Sequence, residues 1–107
     1  MLRTVLETEH ALVTEAEDAE RAVRLAGLVA CDLVITDIAM GPVGRDGVWL
    51  LDRVRATAEL TEIPVIAITG FKDREPELRR RGFARVLIKP VDVMDLSPII
   101  LTVLNRR

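Results

Sequence analysis

The sequence predicts an α/β domain built on a parallel sheet, and three observations point to it. Three short runs of β-branched and aliphatic residues, at 33–36, 63–68 and 85–88, are each bounded by polar or turn residues, the pattern of buried strands. Between and after them lie segments whose apolar residues recur at helical spacing. Half of the chain is hydrophobic, yet its aromatic residues are two Phe and one Trp, so the core must be aliphatic, which suits strands buried on both faces. At 107 residues the chain fits one domain, 1–107, large enough to bury a core without disulfides or a structural metal.

In chain order, Leu2, Val5 and Leu6 fit one face of a helix better than they fit alternation, although a strand buried on both faces would also accept them. Residues 11–14 form a short apolar run. Asp18 is placed to cap a helix over 19–28, with Ala22, Val23, Leu25 and Ala26 as its apolar face and Gly27 near its end. The run Leu33, Val34, Ile35 then leads through Thr36 to Asp37. Val48, Leu50, Leu51, Val54 and Ala58 mark the next helix. The run 63–68 stops at Thr69-Gly70, and the charged segment 77–81 is a helix closed by Gly82. The run 85–88 stops at Lys89-Pro90, and 94–104 places Leu96, Ile99, Ile100, Val103 and Leu104 on one helical face, with Pro98 tolerated in the first turn.

Strands alternating with helices imply parallel pairing through right-handed crossovers, and in such sheets chemistry collects at the carboxyl ends of the strands. Asp37, Thr69 and Lys89 are therefore expected to converge. Alone, each has a plainer reading: a loop-capping carboxylate, a turn hydroxyl, a solvated lysine. Together they read as a functional group.

Fifteen basic and seventeen acidic side chains leave a formal charge of -2, which gives no electrostatic ground for binding nucleic acid or an anionic membrane surface. No stretch has the length of a membrane span, and Arg3, Glu7 and Glu9 stand where a signal peptide needs an apolar run. The lone cysteine, Cys31, excludes an intrachain disulfide and reads as core filler. A cytoplasmic location is the expectation. His10 lacks a carboxylate-backed constellation, the Arg74, Arg79, Arg80, Arg81 cluster reads as a solvated helix face, and Trp49 and Phe71 are expected in core or half-buried packing.

The segment Cys31-Asp32-Leu33-Val34-Ile35-Thr36-Asp37 with Met40 and Asp46-Gly47, the run Ile63-Pro64-Val65-Ile66-Ala67-Ile68-Thr69-Gly70, and the stretch from Gly82 to Ile88-Lys89-Pro90 resemble the receiver domains of two-component response regulators. Residues 12–23 are similar to that family's second strand and second helix, so the resemblance covers nearly the whole chain. It implies a flavodoxin-like doubly wound parallel sheet. It also implies a signalling module rather than a free-standing enzyme, in which Asp37 accepts a phosphoryl group from a sensor histidine kinase or phosphotransfer protein. Lys89 is then the cation contacting the phosphoryl group and Thr69 the switch hydroxyl. Pro90 forms a cis peptide with Lys89, and Mg²⁺ is held by Asp37 and the backbone carbonyl of Ala39.

Three departures from the family pattern accompany the resemblance. The family's first strand, with the acid pair that holds Mg²⁺, has no counterpart before Met1, so the sheet is expected to be incomplete at the N-terminus and Mg²⁺ to be held weakly. Three resolutions stand open: a truncated chain, closure of the flanking strands, or residues 2–7 in the vacant slot with Glu7 and Glu9 as substitute acids. An incomplete sheet also invites a homodimer. The loop 40–46 is longer and shifts a proline, and Val86 stands at the position of the family's aromatic switch. The competing expectation is a degenerate receiver-like interaction module that is never phosphorylated.

Overall fold

The structure, a computed structural model, describes residues 23–24, 32–39 and 46–105. Three strands, β1 (Val34–Asp37), β2 (Val65–Thr69) and β3 (Arg85–Ile88), form a parallel sheet in the order β1-β2-β3. Val34 pairs with Val65 and Asp37 with Ile68, while Ile66 pairs with Arg85 and Thr69 with Ile88. The three strands therefore end together along one edge. Helices α1 (Gly47–Ala56), α2 (Glu75–Arg81) and α3 (Val93–Asn105) follow β1, β2 and β3 in turn.

Side-chain alternation along the strands builds two cores. Val65 and Ala67 of β2 and Val86 of β3 pack with Leu50, Leu51 and Val54 of α1 and Leu78 of α2 on one face. Ile66 and Leu87 pack with Leu96 and Val103 of α3 on the other. With helices on both faces, the described part has the doubly wound, flavodoxin-like arrangement expected from the sequence. Residues 23 and 24 are helical, and Val23 packs against the α1 face.

Local physics moves several boundaries away from those read in the sequence. The strand expected to begin at Ile63 begins at Val65. Ile63 donates its N–H to Leu60 O at 3.0 Å, its carbonyl accepts from Arg55 Nη1 at 2.8 Å, and Pro64 has no N–H to offer. Pairing starts instead at the Pro64 carbonyl, which accepts from Val34 N at 3.0 Å. The preceding helix ends at Ala56. Thr57 is extended, and Ala58 opens a separate 3-10 turn (Ala58–Leu60) rather than completing the apolar stripe.

Helix α2 starts two residues earlier than expected, with Pro76 in its first turn, where the missing N–H costs nothing. Gly82 ends it in the left-handed region at φ 113°, donating to Arg79 O at 3.1 Å. Glu75 and Glu77 near its start and Arg79, Arg80 and Arg81 at its end suit the helix dipole. Arg74 donates to Glu77 Oε1 at 2.8 Å and lies 3 residues from it, and this pairing holds the Glu77 carboxyl below its ordinary range. Arg79 pairs with Glu75 at 3.5 Å. The arginine-rich surface is thus laced with acids, as a solvated face should be.

In α3, Pro98 lies inside the helix rather than in its first turn. The helix begins earlier than the spacing suggested because Asp92 Oδ1 accepts from Met94 N at 2.9 Å and Asp92 O from Asp95 N at 2.9 Å. Phe71 is 61% exposed, against the half-buried packing expected, because the chain leaves the sheet edge at Gly70 and enters a 3-10 turn (Lys72–Arg74) outside both cores. Trp49 is half-buried against the α1 face, as expected. The readings made for residues 2–6 and 11–14, for 19–28 apart from the helical pair 23–24, for Glu7, Glu9, His10 and Cys31, and for the loop 40–45 lie outside the described residues. Among the described residues, no helix is long and apolar enough to cross a membrane.

Candidate functional site

The register that ends the strands together brings Asp37, Thr69 and Lys89 to the same edge. Asp37 is the last residue of β1, Thr69 the last of β2, and Lys89 the first after β3. Backbone hydrogen bonds carry the sheet past its formal ends: Ile38 N donates to Ile68 O at 2.9 Å, and Lys89 N to Thr69 O at 2.8 Å. Positions 52 residues apart are thereby held level.

The side chains meet at Asp37. Lys89 Nζ donates to Asp37 Oδ2 in an ion pair, and Ala39 N donates to Asp37 Oδ1 at 3.0 Å, so each carboxylate oxygen has a donor. Side-chain exposure is 48% for Lys89 and 40% for Asp37. A pair this open to water adds only about 0–1 kcal/mol to folding. Its value is in placing a cation beside a carboxylate that incoming reagents reach freely.

Thr69 is buried, and its Oγ1 accepts from Phe71 N at 3.1 Å. That contact uses a lone pair of the hydroxyl and leaves its proton for another acceptor. The Lys89–Pro90 peptide is cis. Val86 is 5% exposed within the α1 face, so an aliphatic core residue stands where an aromatic switch would be.

Two features at the site were not singled out from the sequence. Ala39 was assigned through its carbonyl, whereas its N–H orients the Asp37 carboxylate. Asp46 was read as part of the loop motif and as a carboxylate able to reach the pocket beside Asp37, not as a cap, yet it caps α1, its Oδ1 accepting from Val48 N and Trp49 N at 3.1 Å each. An Asp directly preceding an apolar helical pattern is a capping signal, and it was there to be read. Asp46 Oδ1 thus serves the N-terminus of α1.

Among the described residues, no group of three or more His, Cys, Asp and Glu could hold a metal ion. Asp37 and the Ala39 carbonyl are the oxygen donors left from the sequence assignment. Mg²⁺ asks for octahedral oxygen coordination, and these two groups alone do not make its site.

The comparisons with known proteins bear on the family and the fold. The family model described as the response regulator receiver domain matches residues 1–101. An uncharacterized 14.6 kDa protein of Leptolyngbya boryana is 37% identical over 103 residues, covering 94% of this chain and 76% of its own length. The transcriptional regulatory protein PdtaR of Mycobacterium tuberculosis is 35% identical over 102 residues, 94% of this chain, and the chain spans 47% of PdtaR. Among solved structures, a response regulator from Desulfuromonas acetoxidans superposes with a TM-score of 0.86 at 29% identity, covering 97% of this chain and 85% of that one. The receiver domain of the sensor histidine kinase PA1611 from Pseudomonas aeruginosa shares the fold, with a TM-score of 0.83 at 24% identity over 97% of this chain and 85% of that one. That domain holds a magnesium ion in its active-site cleft.

Proposed function

The chain belongs to the response regulator receiver family, and from that premise we propose that Asp37 accepts a phosphoryl group from a phosphohistidine of a sensor kinase or phosphotransfer protein. The observation that carries the proposal is the ion pair between Lys89 and Asp37, which sets a cation beside a half-exposed carboxylate at the carboxyl edge of the sheet. A carboxylate oxygen of Asp37 attacks phosphorus, the P–N bond to the imidazole breaks, and the nitrogen keeps the electron pair. Asp37 is left as an acyl phosphate.

Positioning and charge neutralisation do most of the work in such a transfer. Lys89 neutralises charge on the transferring oxygens. The Thr69 hydroxyl, free to donate, bonds a phosphoryl oxygen, and its shift biases the surface a partner reads. No step is routed through Mg²⁺, because the described residues do not complete a site for it.

A second reading is favoured by the shortage of carboxylates around Asp37 among the described residues. In it the scaffold persists as an interaction module, binding a partner or a second copy, and is never phosphorylated. Acetyl phosphate separates the two. Intact mass, read with and without Mg²⁺, should show one added phosphoryl group that is absent in Asp37→Asn. A folded protein that gains no mass in the presence of Mg²⁺ would establish the second reading instead.

A further inference from the structure

We infer that Gly47 is a positioning residue for Asp37: its lack of a side chain lets the N-terminus of α1 seat directly on the backbone that carries the phosphoacceptor. The inference rests on the reading of Asp37 as the acceptor. A Cβ built at Gly47 would lie 2.9 Å from Ile38 Cδ1, 3.0 Å from Ile38 Cα and 3.1 Å from the Asp37 carbonyl oxygen. Carbon atoms prefer about 3.5–4.0 Å, so the two contacts to Ile38 are too close, and the one to the Asp37 carbonyl oxygen is tighter than an ordinary contact by a few tenths of an ångström. One of them is the tip of a flexible side chain. The other two are backbone, at Asp37 itself and at the residue after it.

Gly47 is the first residue of α1 and its φ lies outside the left-handed region, so its backbone conformation is one that alanine also adopts. The contacts, not the helix, therefore demand glycine. The opposing surfaces are also tied together, since Gly47 N donates to Ile38 O at 3.1 Å while Ile38 N donates to Ile68 O at 2.9 Å. Helix α1 cannot back away easily. Its cap at Asp46 and its buried residues Leu50, Leu51 and Val54 anchor it to the sheet. A methyl group at 47 thus displaces the strand end, and Asp37 moves relative to Lys89 and Thr69, which are held by β2 and β3. Gly70, beside Thr69, makes the contrast, for a Cβ there meets nothing within 4 Å.

The test compares Gly47→Ala, Ile38→Val and the double variant, using acetyl phosphate transfer and thermal stability. Ile38→Val removes Cδ1 and with it the side-chain contact, but leaves both backbone contacts. Gly47→Ala is expected to slow transfer severalfold, up to about tenfold, since the backbone must give by a few tenths of an ångström and misplacing a reacting group by a full ångström costs on the order of a hundredfold. The double variant should regain part of the lost stability and none of the lost rate, measured against Ile38→Val. Should Gly47→Ala fail to fold, that comparison alone carries the rate measurement. Wild-type transfer rates in Gly47→Ala, or recovery of rate and stability together in the double variant, would overturn the inference by reducing Gly47 to packing.

Amide exchange gives a reading that does not require phosphorylation. Ile38 and Ala39 should exchange faster in Gly47→Ala while Leu87 of β3 does not, and equal protection at all three would also refute the inference. If the wild-type protein takes no phosphoryl group, the proposed function falls, and exchange still decides whether Gly47 holds Asp37 in place.

Discussion

At the scale of single residues, the site is a carboxylate and a cation brought together by strand ends, and the two are unequal in what they do for the molecule. The Lys89–Asp37 pair is half-exposed, so folding depends on it little. In the proposed transfer, by contrast, charge developing on the phosphoryl group would meet this cation, and losing one preorganised donor of this kind typically costs a hundredfold or more in rate. Lys89→Met is accordingly expected to cut acetyl phosphate transfer by about 10²-fold while changing unfolding free energy by less than about 1 kcal/mol, read by urea titration of Trp49 fluorescence. A variant that lost stability and rate in proportion would mean that Lys89 serves the fold instead. Asp37, Thr69 and Lys89 were legible in the sequence because each closes an apolar run with a polar residue. Gly47 was legible only as part of the Asp46-Gly47 motif and the Ala39 N–H not at all, since close approach and backbone direction are properties of the folded chain.

At the scale of elements, hydrophobic spacing located the three strands and helices α1 and α3, a charged run closed by Gly82 located α2, and local hydrogen bonding decided where most of them began or stopped. Arg55 capturing the Ile63 carbonyl, Asp92 accepting at the start of α3 and Asp46 capping α1 are all polar contacts that an apolar pattern does not encode. Pro98 shows the consequence. Read against a helix beginning at Met94, it fell in the first turn; with α3 beginning at Val93 it sits deeper, where its missing N–H leaves the Met94 carbonyl without its helical donor. Thr102 Oγ1 bonds the Pro98 carbonyl at 2.9 Å, which does nothing for Met94. Pro98 is exposed, so its replacement leaves no cavity. Pro98→Ala should therefore raise stability by about 1–3 kcal/mol, the interior-proline penalty less the entropy that proline removes from the unfolded chain. A lower urea midpoint would show that the ring is needed where it stands.

At the scale of the whole molecule, β2 is the strand on which everything described depends. It pairs with both neighbours, and its residues Val65, Ile66 and Ala67 are fully buried, alternating between the core under α1 and α2 and the core under α3. Neither core has its own sheet, so neither can melt while the other persists. Leu78→Ala opens a cavity on the α2 side, and Leu96→Ala opens one on the α3 side; each should cost about 2–5 kcal/mol. Trp49 packs on the α1 face, yet its fluorescence should report the loss from Leu96→Ala at the same denaturant concentration as far-UV circular dichroism does. The shared strand transmits the damage. If Leu96→Ala instead shifted the dichroism transition and left the Trp49 transition in place, the two faces would be separate cooperative units. A signal written at Asp37 would then stay on the face beneath it, whereas one cooperative sheet lets a change at the strand ends reach helices on both sides.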